Sequence, residues 1–109
     1  MVFLVRADLK MTVGKMCAQC GHCVSAALEE DNPRIQTWKR TGEKKVALKV
    51  DSLEQLEQLL KKAVEKGLPC GEIHDAGHTQ VDPGTLTVGW IGPWDEAAVD
   101  EVTGKLRLL

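Results

Sequence analysis

The sequence predicts an α/β fold: a single domain in which a four-stranded mixed β-sheet carries α-helices on both faces. Strand-like and helical patterns follow one another in the order β-α-α-β-α-β-β-α, which favours a sheet covered by helices. The 109 residues are 43% hydrophobic and 28% charged, as in one ordinary globular domain. No apolar run approaches the roughly 20 residues of a membrane span, so we predict no membrane segment.

The first half of the chain supplies one strand and two helices. Residues 2–7 form an apolar run typical of a buried strand. A helix is predicted from about Lys15 to Glu30, where Asn32-Pro33 interrupts it. Pro33 suits the first turn of a short second helix that continues to Arg40.

The rest of the chain, from residue 45, supplies three strands and two helices. Residues 45–50 are predicted as a strand, and Asp51 or Ser52 caps a helix that ends at Gly67. Residues 69–75 and 86–92 are the remaining strands, and residues 95–102 form the last helix.

The charge is unevenly distributed along the chain. The net charge of −2 argues against a uniformly basic nucleic-acid binder, yet residues 1–50 hold nine Lys or Arg and only five Asp or Glu. This asymmetry is compatible with a phosphate-facing side built from the first half, or with a chance split of solvated charges.

One face of the first predicted helix is polar and small. At about 100° per residue, Lys15, Gln19, His22 and Ala26 lie within one narrow sector. A lysine at a helix N-terminus adds to the positive end of the helix dipole, which suits a phosphate or a developing oxyanion. The alternative is a solvated lysine beside a hydrogen-bonded core histidine.

Three of the four cysteines crowd into residues 17–23, a spacing that invites a metal or thiol interpretation. On a helix, however, Cys20 and His22 point about 160° apart, and Cys17 and Cys23 about 120° apart. We therefore interpret them as small buried apolar residues and predict neither a metal site nor a cofactor. A metal- or thiol-dependent domain is the alternative.

The connection between the last two strands is long and polar. Residues 75–87 contain Asp75, His78, Thr79 and Thr87 together with several glycines and a Pro-Gly turn. Loops of this length often carry function. A solvated loop rich in turn formers explains the composition equally well.

These segments together resemble the archaeal/eukaryotic-type peptidyl-tRNA hydrolases along essentially the whole chain. The matching segments are VRADLKM at 5–11, GKMCAQCGH at 14–22, DAGHTQ at 75–80, PGT at 83–85, IGP at 91–93 and VTGKLRL at 102–108. The resemblance implies a four-stranded mixed sheet, which agrees with the elements above. It also implies hydrolysis of the ester that joins a peptide to the 3′-terminal ribose of tRNA, which recycles tRNA from stalled translation.

The resemblance implicates Lys15, Asp75, Thr79 and Thr87 as catalytic, with Gln19 and His22 lining the same site. Two departures stand out: His78 replaces the arginine common at that position, and the loop at residues 12–13 lacks the extra glycine and basic residue often found there.

Ester hydrolysis needs a positioned water, a base that orients it, and stabilisation of the oxyanion. No Ser-His-Asp or Cys-His pairing is evident, so we expect direct, metal-independent attack by water. Asp75 would orient or deprotonate that water, Thr79 and Thr87 would hold it or the substrate carbonyl, and Lys15 would stabilise the negative charge. His22 is the alternative base.

The expected partner is the tRNA of the substrate. Its phosphates are expected to meet basic side chains near the cleft, namely Lys10, Lys15, Lys39, Arg40, Lys44, Lys45 and, more weakly, His78. A homodimer is left open. We expect a cytoplasmic location, because the sequence shows no targeting segment, with mitochondrial association if a further N-terminal segment exists. A non-catalytic tRNA- or protein-binding adaptor on the same fold is the alternative function.

Overall fold

A computed structural model describes residues 1–77 and 81–109. The strands are β1 (Val2–Arg6), β2 (Val46–Val50), β3 (Cys70–His74) and β4 (Leu86–Ile91). The helices are α1 (Val13–Leu28), α2 (Ile35–Arg40), α3 (Leu53–Glu65) and α4 (Glu96–Thr103). The element order and the fold class predicted from the sequence are both confirmed.

The four strands form one mixed sheet in the order β2-β1-β4-β3. β1 and β2 are parallel, with Val2 opposite Val46 and Arg6 opposite Val50. β4 runs antiparallel to both β1 and β3. The ends of β1 and β2, the start of β4 and the end of β3 therefore share one end of the sheet, which we call the site end.

Each face of the sheet has its own apolar cluster. On one face, α1 packs Cys23 and Ala27 against Phe3, Val5 and other residues of β1 and β4. On the other, Leu56 of α3 and Val99 of α4 join residues from the central strands. The predicted helical cover of both faces is thus observed, and all of β4 is buried.

Several element boundaries differ from the prediction by one or two residues, for local reasons. α1 begins at Val13 instead of Lys15, because the Thr12 hydroxyl accepts a hydrogen bond from the Lys15 backbone N–H and caps the helix. The predicted cap of α3 is confirmed, because the Ser52 hydroxyl accepts a hydrogen bond from the Gln55 backbone N–H. α2 begins after Pro33, at Ile35.

Within the described part of the chain, no helix is long and apolar enough to cross a membrane.

Candidate active site

The structure brings together two residues that are 60 positions apart in the sequence. The Lys15 ammonium, in the first turn of α1, donates a hydrogen bond to Oδ1 of Asp75, directly after β3. The two side chains are only 8% and 3% exposed, respectively. The interaction is therefore a nearly dry ion pair at the site end of the sheet, where each charge depends on the other.

Backbone hydrogen bonds hold Asp75 in a single position. Its N–H donates to the Thr85 carbonyl and its own carbonyl accepts from the Gly84 N–H, both at 2.8 Å. The second carboxylate oxygen, Oδ2, accepts from the Gly77 N–H at 2.7 Å. Gly77 has a φ of 86°, and a Cβ there would come within 2.5 Å of a Pro83 ring carbon, so the turn requires glycine.

Thr87 is buried and hydrogen-bonded to its neighbours. Its hydroxyl accepts a hydrogen bond from Nε2 of Gln19 at 2.6 Å and donates to the Ile73 carbonyl at 3.2 Å. Thr87 is 0% exposed and Gln19 is 3% exposed. Because its one hydroxyl proton is directed at Ile73, Thr87 ties α1, β3 and β4 together in this structure.

Arg6 is a buried residue of the site end that sequence reasoning did not single out. Its Nη1 donates to the Leu86 carbonyl at 2.9 Å, next to Thr87, and its Nε and Nη2 donate to the Asp8 carboxylate at 3.1 and 2.7 Å. These hydrogen bonds from Arg6 hold the pKa of Asp8 below its usual value. The sequence does contain a signal for this role of Arg6: it is a single charged residue at the end of an apolar strand, and an aspartate follows two residues later.

A groove of about 830 Å³ runs from the ion pair along α1 and β3. Its α1 wall presents the predicted polar face, Lys15, Gln19, His22 and Ala26, and ends at Glu29. The opposite wall is formed by residues 72–76 of β3 and the following turn. The predicted grouping of these α1 side chains on one face is confirmed.

The other basic residues predicted to contact tRNA fall into two groups. Lys10 lies in the turn between β1 and α1, at the site end. Lys44 and Lys45 precede β2 and therefore lie at the opposite end, where Lys44 pairs with Glu96 at 3.0 Å. Two further basic residues occupy the last turn of α2, which leads towards Lys44: Lys39 and Arg40. His78 and Thr79 lie outside the described residues.

The cysteines have different environments. Cys23 is buried and its thiol lies near the Gly89 carbonyl, Cys20 is half-buried, and burial raises the pKa of both thiols. Cys17, by contrast, is exposed on α1. The prediction that the three clustered cysteines are buried is therefore wrong for Cys17. Among residues 1–77 and 81–109, no three His, Cys, Asp or Glu side chains are grouped so that they could hold a metal ion.

The chain is similar along its length to proteins of one family. The family described as "Peptidyl-tRNA hydrolase PTH2" matches residues 1–109. A peptidyl-tRNA hydrolase from Methanocaldococcus jannaschii is 48% identical over 113 residues, covering 100% of this chain and 98% of that protein. One from Sulfolobus acidocaldarius is 42% identical over 118 residues, again covering 100% and 98%. The mouse protein "Peptidyl-tRNA hydrolase 2, mitochondrial" is 42% identical over 112 residues, covering 99% of this chain and 62% of its own.

One solved structure, of an Agrobacterium tumefaciens protein of unknown function, has a TM-score of 0.63 at 13% identity and covers 99% of this chain and 95% of its own. At that identity the likeness concerns the fold alone.

Proposed function

Since this chain belongs to the peptidyl-tRNA hydrolase PTH2 family, we propose that it hydrolyses the ester between a peptide and the 3′-terminal ribose of tRNA. The buried Lys15–Asp75 pair at the head of the groove is the observation that carries this proposal. It supplies a fixed cation and a fixed carboxylate side by side, which are the two groups that ester hydrolysis by water needs.

In the proposed reaction, the oxygen of a water molecule attacks the ester carbonyl carbon. Asp75 orients the water and accepts its proton, while the Lys15 ammonium stabilises the negative charge that develops on the carbonyl oxygen. The tetrahedral intermediate then collapses, the bond to the ribose oxygen breaks, and that oxygen takes up the proton. The products are the free peptide and tRNA with an intact 3′-terminal ribose.

The nearly dry surroundings of the pair favour this assignment. A charge–charge interaction is much stronger at low dielectric than in water, and a preorganised ammonium needs no rearrangement when the oxyanion forms. No step uses a metal, so the proposed mechanism is metal-independent.

Neighbouring side chains are assigned supporting roles. The hydrogen bonds of Thr87 support a positioning role, in which it fixes Gln19 in the groove wall. His22 lines the groove beyond Gln19 and is proposed to contact substrate. Thr79 is proposed to hold the attacking water or the substrate carbonyl, and His78 to contact substrate; both remain sequence-based predictions.

For the tRNA, the positive end of α1 together with Lys15 and Lys10 supports contact with phosphates next to the ester. Lys39, Arg40, Lys44 and Lys45 would reach only more distant parts of the tRNA. The logarithm of tRNA affinity should therefore fall linearly with the logarithm of salt concentration, and a flat plot would contradict phosphate contacts. A cytoplasmic location and a homodimer also remain proposals.

The test is release of the acyl group from N-acetyl-aminoacyl-tRNA by the wild type and by Asp75→Ala, each with and without a chelator. We expect chelator-resistant release by the wild type and its loss in the variant. Loss of wild-type release with chelator alone would contradict the metal-free mechanism. If the wild type bound tRNA and released nothing, the non-catalytic adaptor would replace the hydrolase.

A further inference from the structure

We infer that the part of the groove beyond Gln19, between α1 and β3, takes the peptide of the substrate in an extended form along the open edge of β3. We call this part the distal arm; its walls include His22, Ala26 and Glu29 of α1 and Glu72 and His74 of β3. The inference rests on the proposed function, because it assigns one side of the same reaction site to the peptide and leaves the other to the RNA.

The first argument is charge. Among the described residues that line the groove, the only lysine is Lys15, at the ion pair, whereas Glu29 lines the far end of the distal arm. A phosphate chain in the distal arm would meet this carboxylate, whereas a peptide backbone is neutral.

The second argument is the polarity of α1 itself. The first turn of α1 has no acidic residue and its last turn no basic one, and Glu29, Glu30 and Asp31 follow its C-terminus. These charges add to the helix dipole instead of opposing it. α3 differs from α1 at both ends, since it has Glu54 in its first turn and Lys62 in its last. The field along the groove thus draws an anion to the ion pair and repels it from the distal arm.

The third argument is the edge strand. β3 pairs only with β4 in the described sheet, so its other side carries no strand. The Pro69 carbonyl accepts a hydrogen bond from the Gly92 N–H, so this carbonyl points towards β4. Because this direction alternates along a strand, the backbone N–H and C=O groups of Gly71 and Ile73 also point towards β4. Cys70 and Glu72 therefore direct their backbone groups to the open edge. Hydrogen bonds from an edge strand recognise an extended peptide through its main chain, whatever its sequence.

The length of the groove from the ion pair to the end of the distal arm gives a number to test. From Lys15 to Glu29 the helix rises about 21 Å, which corresponds to about six residues of an extended chain. If the hydrolase contacts the peptide in this way, kcat/KM should rise with each added peptide residue up to about that length and not beyond it.

The experiment compares kcat/KM for a series of N-acetyl-peptidyl-tRNAs with one to ten residues. We expect a rise that levels off at about six residues for the wild type. In Ala26→Phe, which places a ring in the distal arm, the ratio between the six-residue and one-residue substrates should fall about tenfold. Ser25→Phe is the matched control, because Ser25 is exposed on the neighbouring face of α1 and does not line the groove, and it should keep the wild-type ratio.

A second measurement uses the wild type alone and so does not depend on the folding of a variant. Single N-methyl groups along a six-residue peptide should lower kcat/KM about three- to tenfold at alternate positions, where the lost N–H would face β3. Length dependence that is flat, or an N-methyl effect without alternation, would overturn the inference.

Competition with deacylated tRNA separates the peptide from the RNA. The inhibition constant of deacylated tRNA should be unchanged in Ala26→Phe, and a rise would show that RNA occupies the distal arm. If the wild type released the acyl group from one-residue substrates without any preference for length, the proposed function would stand and only this inference would fail. If the wild type released nothing from any substrate, both would fail.

Discussion

Single and double substitutions of the buried Lys15–Asp75 pair should affect the stability and the activity of the protein differently. Removing one partner of a buried pair leaves an uncompensated charge and typically destabilises a protein by about 3–5 kcal/mol. Both side chains here are at least nine-tenths buried, so we expect this range for Asp75→Asn and for Lys15→Met. In a domain of this size, each kcal/mol lowers the Tm by about 4 °C or more, so each single variant should melt more than about 10 °C below the wild type.

The double variant should recover most of this stability, because neither charge remains. Replacing both members of a buried pair with neutral side chains is often nearly neutral. We therefore expect the sum of the losses in unfolding free energy for the two single substitutions to exceed the loss for the double variant by about 3 kcal/mol or more. Activity should not recover: loss of one preorganised electrostatic group typically lowers kcat by about 10²–10³-fold, and the double variant lacks both.

The assays are urea unfolding, with the three variants compared on one scale, and acyl release from N-acetyl-aminoacyl-tRNA. The matched control is the exposed Lys66–Glu101 pair, at 3.0 Å with side chains 38% and 64% exposed, which should contribute less than about 1 kcal/mol. Strictly additive stability effects of Lys15→Met and Asp75→Asn would refute the coupled pair. Near-normal turnover by the folded double variant would refute its catalytic role.

Three further predictions concern residues around the pair. Thr87→Val should lower the free energy of unfolding by about 1–3 kcal/mol, because the buried Gln19 amide loses its acceptor, and it should also slow acyl release; an unchanged urea midpoint would contradict this. The Asp8 pKa is lowered by Arg6, so the stabilisation by Asp8 is present above about pH 4 and is lost as pH falls through its lowered pKa. Urea unfolding of Asp8→Asn should therefore differ from the wild type most at neutral pH, and a difference that grew in acid would oppose the assignment. In the native protein, one thiol should react rapidly with a colorimetric thiol reagent, and Cys17→Ser should remove that fast phase.

The fold was predictable because its signals are local. Helical periodicity placed Cys23 and Ala27 on the inner side of α1 and Lys15 and Gln19 on the groove side, and the structure agrees. The contact between Lys15 and Asp75 has no local signal. It arises because β3 ends at the same end of the sheet at which α1 begins, and only the strand order determines this.

The burial of Thr87 was hidden for a different reason. β4 is covered on both faces, so its burial does not alternate and the sequence LTVGWI gives no indication of which way Thr87 points. The positions of the basic residues were also not predictable from the sequence, because they depend on how the strands pair. Lys44 and Lys45 looked suitable for phosphate contacts near the cleft, but parallel pairing of β2 with β1 puts them at the far end of the sheet.

The charges at the two ends of α1 have the signs that are unfavourable for helix stability. A charge of the unfavourable sign near a helix end typically costs about 0.3–1 kcal/mol. In α3, Glu54 in the first turn and Lys62 in the last turn have the favourable signs, whereas α1 carries Lys15 near its N-terminus and Glu29 and Glu30 just beyond its C-terminus. Pairing with Asp75 offsets the cost at Lys15, but no ion pair does so for the two glutamates among the described residues. A helix that only stabilised the fold would gain from the opposite signs, so the pattern supports our inference that the RNA lies at the ion pair and the peptide in the distal arm.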